Sequence, residues 1–320
     1  YTANANGSIS GLNNEAVTLS DSSLAVSVLN ILDGNTSGTI NASSINTLTG
    51  TAADLNTAYT SAGISGLNNE AVTLNDTTLA VSVLNDLDGR TSGAINASSI
   101  NTLSGSAADL ITAYDSGGIN GLGNEAVNVN SGTASTSQAN ALAADTSGVV
   151  TATISDGDMA TLAGLTETGN AYSITITDNS VAAAALNALD GKTTVAINAN
   201  AITTLSGSAA DLITAYDSGG INGLGNEAVN VNSGTASTSQ ANALAADTSG
   251  VVTATISDGD MATLAGLTET GNAYSITITD NSVAAAALNT LDGKTSVAIN
   301  ASNITTLTGA AADSWARRCV

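Results

Sequence analysis

The chain has no proline, no phenylalanine and no histidine, and aromatic residues make up only 2% of its 320 residues. Without histidine, the sequence offers no imidazole general base and no imidazole metal ligand. Cys319 is the only cysteine, so neither an intramolecular disulfide nor a thiolate metal site can form. The glycine-rich lysine loop that binds nucleotide phosphates is also missing. Because no acid–base or nucleophilic machinery is recognisable, we expect that the chain is not an enzyme.

Positive charge is scarce as well, since five basic residues stand against 27 acidic ones and the formal net charge is −22. Such a field repels nucleic acid and anionic membrane surfaces. No stretch reaches the ~18 apolar residues of a membrane span, so we expect neither nucleic-acid binding nor membrane insertion. The chain starts at Tyr1 and shows no signal peptide, which we interpret as a fragment or a processed segment.

What the sequence has instead is repetition. Residues 102–187 recur unchanged at 204–289, an offset of 102. A second offset, of 55 residues, relates the segment that starts at Ile9 to the segment that starts at Ile64. We therefore predict a single repeat solenoid over residues 1–320. Its large repeats are predicted at about 9–63, 64–118, 119–220 and 221–320.

A shorter unit lies inside these repeats. An apolar–polar–apolar triplet recurs at spacings of 22 to 32 residues, and amphipathic helical patterns alternate with the triplets. A spacing of 22–25 residues suffices for one strand, one turn, one helix and a return loop. Consecutive strands separated by helices run parallel through right-handed crossovers. The sequence thus predicts a right-handed α/β solenoid of about twelve coils, each with one parallel β-strand and one α-helix. The longer coils are expected to carry extra loop, such as residues 119–124.

Two types of helix recur. One runs from Asp76 to Gly89, and we expect Asp76 to cap its first turn and Gly89 to end it in the left-handed conformation. The other begins at Ser106, which has capping-box spacing to Asp109.

The middle residue of each triplet is predicted to point outward, because alternate residues of a strand face opposite sides of the sheet. All of these residues are Thr or Asn: Thr18, Asn41, Thr73, Asn96, Asn128, Thr153, Thr175, Asn198, Asn230, Thr255, Thr277 and Asn300. Threonine suits strands, and stacked asparagines can hydrogen-bond along a ladder, so the pattern has a structural explanation. The functional alternative is a flat, uncharged binding face for another copy of the chain, a glycan or ice.

Two acidic pairs are the candidates for a metal site. Asp156 and Asp158 flank a glycine, and Asp258 and Asp260 repeat this arrangement. Calcium prefers six to eight oxygen ligands, whereas each pair supplies two carboxylates at most. Since the first aspartate of each pair aligns with Asp76, helix capping is the favoured explanation. We predict no cofactor, with calcium left open as the alternative.

Leu-Asn-x-Leu-Asp-Gly helices and Ser-Ala-Ala-Asp-Leu helices alternate with short Ile/Val/Thr strands over nearly the whole chain. This pattern resembles the tandem-repeat regions of giant secreted or cell-surface proteins of marine bacteria, particularly cyanobacteria. The resemblance implies an extracellular or cell-surface location and a structural or adhesive role, and it extends to calcium-linked roles.

We therefore expect a structural or adhesive repeat segment, with self-assembly into filaments as one form of that role. No charged or proline residue blocks the strand edges expected near Val17 and Ile299. The expected partners are other copies of the chain or flanking repeats of a longer chain, with a glycan as a further candidate. Two alternatives stay open: a glycan- or ice-binding module that uses the Thr/Asn face, and a calcium-dependent surface-layer component.

Overall fold

The computed structural model describes residue 9 and residues 11–315. These residues form two compact units. The first unit extends to Ser155 and includes Gly169–Tyr172, and the second comprises Asp156–Thr168 and the residues from Ser173 onward. Of the C-terminal segment that departs from the repeats, residues 316–320 with Cys319 lie outside the described residues.

The first unit alternates short strands with helices. Its described helices are α1 (Val26–Asn35), α2 (Ala52–Thr60), α3 (Val81–Asp88), α4 (Ala107–Asp115) and α5 (Thr136–Asp145). Its described strands are β1 (Val17–Thr18), β2 (Ser23–Ala25), β3 (Ile40–Asn41), β4 (Thr47–Gly50), β5 (Ile64–Ser65), β6 (Ala71–Leu74), β7 (Thr78–Ala80), β8 (Ile95–Asn96), β9 (Thr102–Gly105), β10 (Ile119–Asn120), β11 (Ala126–Val129), β12 (Val150–Thr153) and β13 (Ala171–Ser173).

The second unit follows the same plan. Its described helices are α6 (Met159–Leu162), α7 (Ala183–Asp190), α8 (Ala209–Asp217), α9 (Thr238–Asp247), α10 (Met261–Leu264), α11 (Ala285–Asp292) and α12 (Ala311–Trp315). Its described strands are β14 (Ser180–Ala182), β15 (Ile197–Asn198), β16 (Thr204–Gly207), β17 (Ile221–Asn222), β18 (Ala228–Val231), β19 (Val252–Thr255), β20 (Ala273–Ser275), β21 (Ser282–Ala284) and β22 (Thr306–Thr308).

Parallel strands and stacked helices confirm the predicted α/β solenoid. The described pairings, such as β4 with β6 and β16 with β18, are parallel. Strands alternate with twelve helices over the residues that the structure describes. Helices of successive coils pack on one another, for example α1 on α2 and α2 on α3. One helix therefore closes each coil, as the spacing of the triplets predicts.

The coils contain more strand than predicted, because most of them place two or three short strands before the helix. Residues 119–124, predicted as extra loop, begin with β10, which pairs with β8. Ile119 is buried, so this segment joins the sheet instead of projecting from it. The equivalent strand β5 pairs with β3 in the same way. Strand β6 has two partners, β4 in the preceding coil and β8 in the following one.

The core is built from small aliphatic side chains, as the scarcity of aromatic residues requires. Leu48 of β4, Leu55 of α2 and Leu84 of α3 are all fully buried. The largest fully buried side chains are Tyr172 and Tyr274. Their hydroxyls donate hydrogen bonds to helix backbone carbonyls at 3.4 and 3.3 Å, so that the one polar atom of each ring is satisfied.

Two predictions about helix ends are wrong, and one is confirmed. Helix α3 begins at Val81 and not beside Asp76, because residues 78–80 form β7. Gly89 follows α3 with a φ of −69°, which is right-handed and not left-handed. At α4 the predicted cap is present, since the Ser106 side chain accepts a hydrogen bond from the Asp109 N–H at 3.1 Å.

Candidate functional surfaces: the coil junctions and the Thr/Asn face

Polar side chains concentrate where one coil meets the next. The junction between the coil of α2 and the coil of α3, here called the interior junction, shows the arrangement. Its strands β4 and β6 pair in register, with Leu48 beside Val72 and Thr49 beside Thr73. Leu48 and Val72 are buried. An apolar strand pair thus forms the centre of the junction, and polar bonds surround it.

A buried glutamate reinforces the interior junction. Glu70 is 0% exposed, and its two carboxylate oxygens accept hydrogen bonds from the Asn68 N–H at 3.0 and 3.2 Å. The Tyr59 hydroxyl, from α2, donates to the same carboxylate at 3.1 Å. The Thr91 hydroxyl, beyond α3, donates to the Glu70 backbone carbonyl at 2.9 Å. Three segments of the chain therefore meet at one residue, and the cost of burying a charged group is offset by its donors.

The tyrosine–glutamate pair recurs at two further positions. Tyr114 donates to Glu125, and Tyr216 donates to Glu227. Burial, together with the adjacent carboxylate, raises the pKa of each of these phenols above its ordinary value. The hydroxyls therefore remain protonated donors at neutral pH. Inspection of the sequence missed these residues, although the constant separation of 11 residues between tyrosine and glutamate was an available signal.

Aspartates cap the helix of the preceding coil. Asp76 Oδ2 accepts a hydrogen bond at 2.8 Å from the N–H of Ala52, the first residue of α2. Asp178 Oδ2 accepts the equivalent bond at 2.6 Å from Met159, the first residue of α6. The first N–H groups of a helix lack partners within the helix, and its dipole favours a negative charge there. Each of these carboxylates therefore ties two coils together.

Two further sets of hydrogen bonds join the helices of neighbouring coils. The Ser61 hydroxyl donates to Asp33 Oδ2 at 2.6 Å. The side-chain amide of Asn30 donates to the Asp54 backbone carbonyl at 3.0 Å. Equivalent serine–aspartate bonds join Ser116 to Asp88 and Ser218 to Asp190. We call these three serine–aspartate pairs the helix-row locks.

The structure places the twelve predicted Thr and Asn residues on the outside of the coils. Ten of them are exposed, and Thr73 and Asn198 are half-buried. They do not form one continuous face, because the extra strands distribute them among different strand pairings. Asn41 pairs with Ser65 on its far side, whereas Thr73 pairs with Asn96. The predicted face is therefore divided among several sheets.

Four of these asparagines have a local structural role. The side-chain oxygen of Asn41 accepts a hydrogen bond at 3.1 Å from the N–H two residues further on. Asn96, Asn198 and Asn300 make the same bond at 3.1 to 3.2 Å. Such bonds stabilise the turn that follows a strand. They account for asparagine at these positions without a ligand.

One regular part of the face lies in the second unit. Thr253 and Thr255 are exposed on β19, and Ser275 of β20 lies directly beside Thr255. Thr277 and Thr279 continue the exposed side of the same segment. Neighbouring parallel strands are ~4.8 Å apart and alternate residues ~6.6 Å apart, so these five hydroxyl side chains lie close together on one exposed side of two adjacent segments. We call them the hydroxyl patch.

Three of the four aspartates predicted as calcium candidates cap helices. Asp158 and Asp260 each accept a hydrogen bond at 2.9 Å from the N–H of the third residue of the helix that follows, which lowers their pKa values. Asp258 Oδ2 accepts one at 2.6 Å from Thr238, the first residue of α9. Asp156, at the position equivalent to Asp258, is half-buried. In the described part of the chain, no three His, Cys, Asp or Glu side chains are grouped to hold a metal. The absence of a cofactor, with calcium as the alternative, stays a prediction, which calorimetric titration tests.

Comparisons of the chain with protein-family models, with curated proteins and with solved structures gave no match. None of the helices that the structure describes has the length and hydropathy needed to cross a membrane.

Proposed function

We propose that the chain is a structural repeat segment of an extracellular or cell-surface protein, where it serves as a spacer or adhesive scaffold. The observation that supports this role is the use of its acidic groups. Glu70, Asp76 and Asp33 all bond to a neighbouring coil. An active site, by contrast, keeps titratable groups in a cleft where they can reach a substrate.

The spacing of these bonds suits a scaffold. They connect residues 11 to 28 positions apart, and each one ties a coil to a neighbouring coil. In a repeat protein the stability is approximately the sum of the coils and of their junctions. A force applied along the chain then acts on junctions of which several carry the same reinforcing bonds. Exact duplication of 102–187 at 204–289 adds further reinforced junctions, whereas a single catalytic site gains little from it.

Single-molecule stretching tests the structural role. Replacing Asp33, Asp88 and Asp190 by Ala removes the three helix-row locks. We expect this variant to unfold at a lower force than the unmodified chain, because each lock must break when its two coils separate. The matched control replaces three exposed acids, Asp86, Asp115 and Glu167, by Ala, which gives the same change of charge. Equal unfolding forces for the two variants would refute the proposal.

The hydroxyl patch supports a second candidate, a module that binds a glycan or ice. Its hydroxyls are exposed, and Thr255 lies in register with Ser275 on strands that carry no charged residue. The duplicated segment repeats these hydroxyls at Thr153 and Thr175, so both copies must be changed. We expect Thr153→Lys and Thr175→Lys together with Thr255→Lys and Thr277→Lys to abolish retention on a glycan array or adsorption to ice, because charged side chains disrupt an uncharged array. Thr270→Lys, an exposed position outside the patch, is the control. If the unmodified chain binds neither ice nor any glycan, this candidate is excluded.

A further inference from the structure

The junction between the coils of α4 and α5 has the same centre as the interior junction, which lies 55 residues earlier in the sequence. Strand β9 pairs with β11 in the register in which β4 pairs with β6. The tyrosine–glutamate pair is present at both junctions. Helices α2 and α4 also differ at only two of their nine residues. Equivalent positions of the two junctions are thus well defined, and the differences lie in the polar residues around the shared centre.

A hydrogen-bonded asparagine joins the two helices of the interior junction. The side-chain amide of Asn56, in α2, donates to the backbone carbonyl of Val83, in α3, at 3.1 Å. The side-chain oxygen of Asn56 accepts a hydrogen bond at 3.0 Å from Nε of Arg90, which follows α3. A cation after the last turn also complements the negative end of a helix dipole. Both polar atoms of one side chain thus bond to the next coil.

At the junction of α4 and α5 the equivalent residues cannot form these bonds. Ile111 stands in place of Asn56, and an aliphatic side chain neither donates nor accepts a hydrogen bond. Asp145 stands in place of Arg90, as the last residue of α5. Asp115 is likewise the last residue of α4. In place of one cation, this junction therefore has two carboxylates, both at helix ends where the dipole disfavours negative charge.

The two carboxylates repel each other across this junction. Burial, together with the charge of Asp115, raises the pKa of Asp145 above its ordinary value of 3.8. Helix α4 and strand β12 pack on α5, and neither contains a basic residue. Tyr114 is the other titratable group of α4 near Asp145, and its own raised pKa keeps its hydroxyl neutral. No positive charge on these two elements therefore offsets the repulsion.

The cap between coils is weaker as well. At the interior junction the Asp76 carboxylate accepts a hydrogen bond from the N–H of Ala52, the first residue of α2. The first residue of α4 is Ala107, and the position 24 residues after it holds Ser131. A serine hydroxyl brings no negative charge to the positive end of the helix dipole. Helix α4 therefore receives no carboxylate from the position that supplies one to α2.

The chain has a second junction of this kind, because residues 102–187 recur unchanged at 204–289. It lies between the coils of α8 and α9, where the equivalent residues are Ile213, Asp217, Ser233 and Asp247. Burial and the charge of Asp217 raise the pKa of Asp247, as in the first copy. We call the junctions of α4 with α5 and of α8 with α9 the acidic junctions. Each of the two units contains one of them.

We propose that the acidic junctions are the places where the solenoid opens first, and that they are loose at neutral pH and tight in acid. This inference rests on the proposed structural role, to which it adds defined points of opening. Repeat proteins open locally wherever the contact between neighbouring repeats is weakest. A spacer that opens at two such points lengthens under load while its other coils stay folded.

The pH dependence follows from the ionisation of Asp145. Its pKa in the folded chain lies above its ordinary value, so folding favours the protonated carboxyl. The stability that this residue contributes is fully present below pH 3.8 and is lost as the pH rises through the folded-state pKa. At neutral pH both aspartates of each acidic junction are ionised, and the repulsion acts in full.

Hydrogen exchange followed by mass spectrometry tests where the chain opens. Helices α2 and α4 receive the same serine–aspartate lock and the same asparagine bond from the preceding coil, so a difference between them arises from the following coil. At pH 7 we expect α4 to be protected from exchange about tenfold less than α2, because a hydrogen bond, a charged cap and a cation are missing there. Peptides of α8 have the same sequence as those of α4 and report on the second copy. Equal protection of α2 and α4 would overturn the proposal.

A repaired chain identifies the cause. It carries the residues of the interior junction at both acidic junctions, through Ile111→Asn, Ser131→Asp, Asp145→Arg, Ile213→Asn, Ser233→Asp and Asp247→Arg. We expect the protection of α4 to rise to that of α2. If α4 of the repaired chain exchanges as fast as before, these residues do not set the point of opening and the proposal fails.

The matched control makes the reverse changes at the interior junction, through Asn56→Ile, Asp76→Ser and Arg90→Asp. It should lower the protection of α2 about tenfold and leave α4 unchanged. Because these residues already occur at the acidic junctions, the control chain is expected to fold. Unchanged protection of α2 in this chain would also count against the proposal.

Asp115→Asn with Asp217→Asn tests the role of charge, since it removes one carboxylate from each acidic junction and keeps the size of the side chain. At pH 7 we expect this variant to protect α5 about twofold more than the unmodified chain, which is the effect of one like-charge pair on a helix surface. At pH 3 the two chains should be equally protected, because Asp145 is then protonated in both. The intrinsic exchange rate at each pH is divided out. A gain of the same size at both pH values would overturn the pH dependence.

The structural role is tested separately by the helix-row locks. A chain whose unfolding force depends on the locks, but whose helices α2 and α4 are equally protected, keeps the structural role and loses only the points of opening. A chain whose α4 is weakly protected, but whose unfolding force ignores the locks, has the opposite meaning. The control of the stretching experiment removes Asp115, which relieves repulsion and therefore should not lower the unfolding force.

Discussion

Leu48 and Leu307 occupy equivalent positions in identical Thr-Leu-Thr-Gly segments, yet only Leu48 is buried. Glu70 is enclosed, whereas Glu15, in the equivalent Gly-Leu-Asn-Asn-Glu segment, is half-exposed. The local sequences are the same, so the difference arises from the neighbouring coil, which covers the interior residue and not the one at the end. In a solenoid, the environment of a side chain is completed by the next coil.

The largest expected difference concerns the two leucines. Leu48→Ala should lower the free energy of unfolding by about 2–5 kcal/mol, because it leaves a cavity at a fully buried site. Leu307→Ala should cost less than about 1 kcal/mol at low protein concentration, where the end strand is free. Urea denaturation followed by circular dichroism measures both values. Similar losses for the two variants would show that the end strand is covered in solution.

The glutamates should differ by a smaller amount. Glu70→Gln puts an amide among donors that require a carboxylate, and we expect a loss of about 1–3 kcal/mol in the free energy of unfolding. Glu15→Gln should have almost no effect, since its side chain is half-exposed to water. Urea denaturation followed by circular dichroism measures both losses. Equal losses for the two variants would contradict the view that stacking of coils makes Glu70 structurally important.

The capping aspartates give a third, smaller contrast. Asp76→Ala leaves the first N–H of α2 without its partner from the next coil, at an expected cost of about 1 kcal/mol. Asp21→Ala removes an exposed carboxylate from the first described coil and should be close to neutral. Hydrogen exchange at Ala52 measures the effect locally. Unchanged protection in Asp76→Ala would mean that the bond contributes nothing.

The smallest effect at neutral pH is expected for a buried tyrosine, Tyr274. Burial, assisted by Glu269, raises the pKa of Tyr274 from 10.0 to about 12. Above pH 10 the unfolded chain loses its phenolic proton before the folded one does. Stability present below pH 10 is therefore lost as the pH rises towards about 12. Tyr274→Phe should reduce this alkaline loss, as measured by denaturation at several pH values, whereas an unchanged pH profile would contradict it.

Much of the fold was predictable because its signals are local. The alternation around Val72 and Thr73 indicates a strand with one buried and one outward side, and the Ser106–Asp109 spacing indicates a capped helix. Both features depend on residues within four positions of each other. The extra strand at Ile119 was predicted as loop, because two residues carry no recognisable period and only the pairing with β8 makes them a strand.

The polar bonds between coils could not be predicted in the same way. Asp76 has the appearance of a cap for its own helix, yet it caps α2, 24 residues earlier in the sequence. Glu70 and Tyr59 also meet only because two coils are stacked. Hydrogen bonds act over a few ångströms, and which residues come that close depends on how each coil closes, not on their separation in the sequence.

The apolar period by itself determined that this chain forms coils of parallel strand and helix, with Thr and Asn turned outward, because period and residue size fix which side of an element avoids water. Only the tertiary structure decided which coil each carboxylate bonds to, where the register shifts, and which copies of the same strand are covered. The physical reason is that these properties belong to the contact between two coils, and identical sequences acquire different environments according to whether a neighbouring coil covers them.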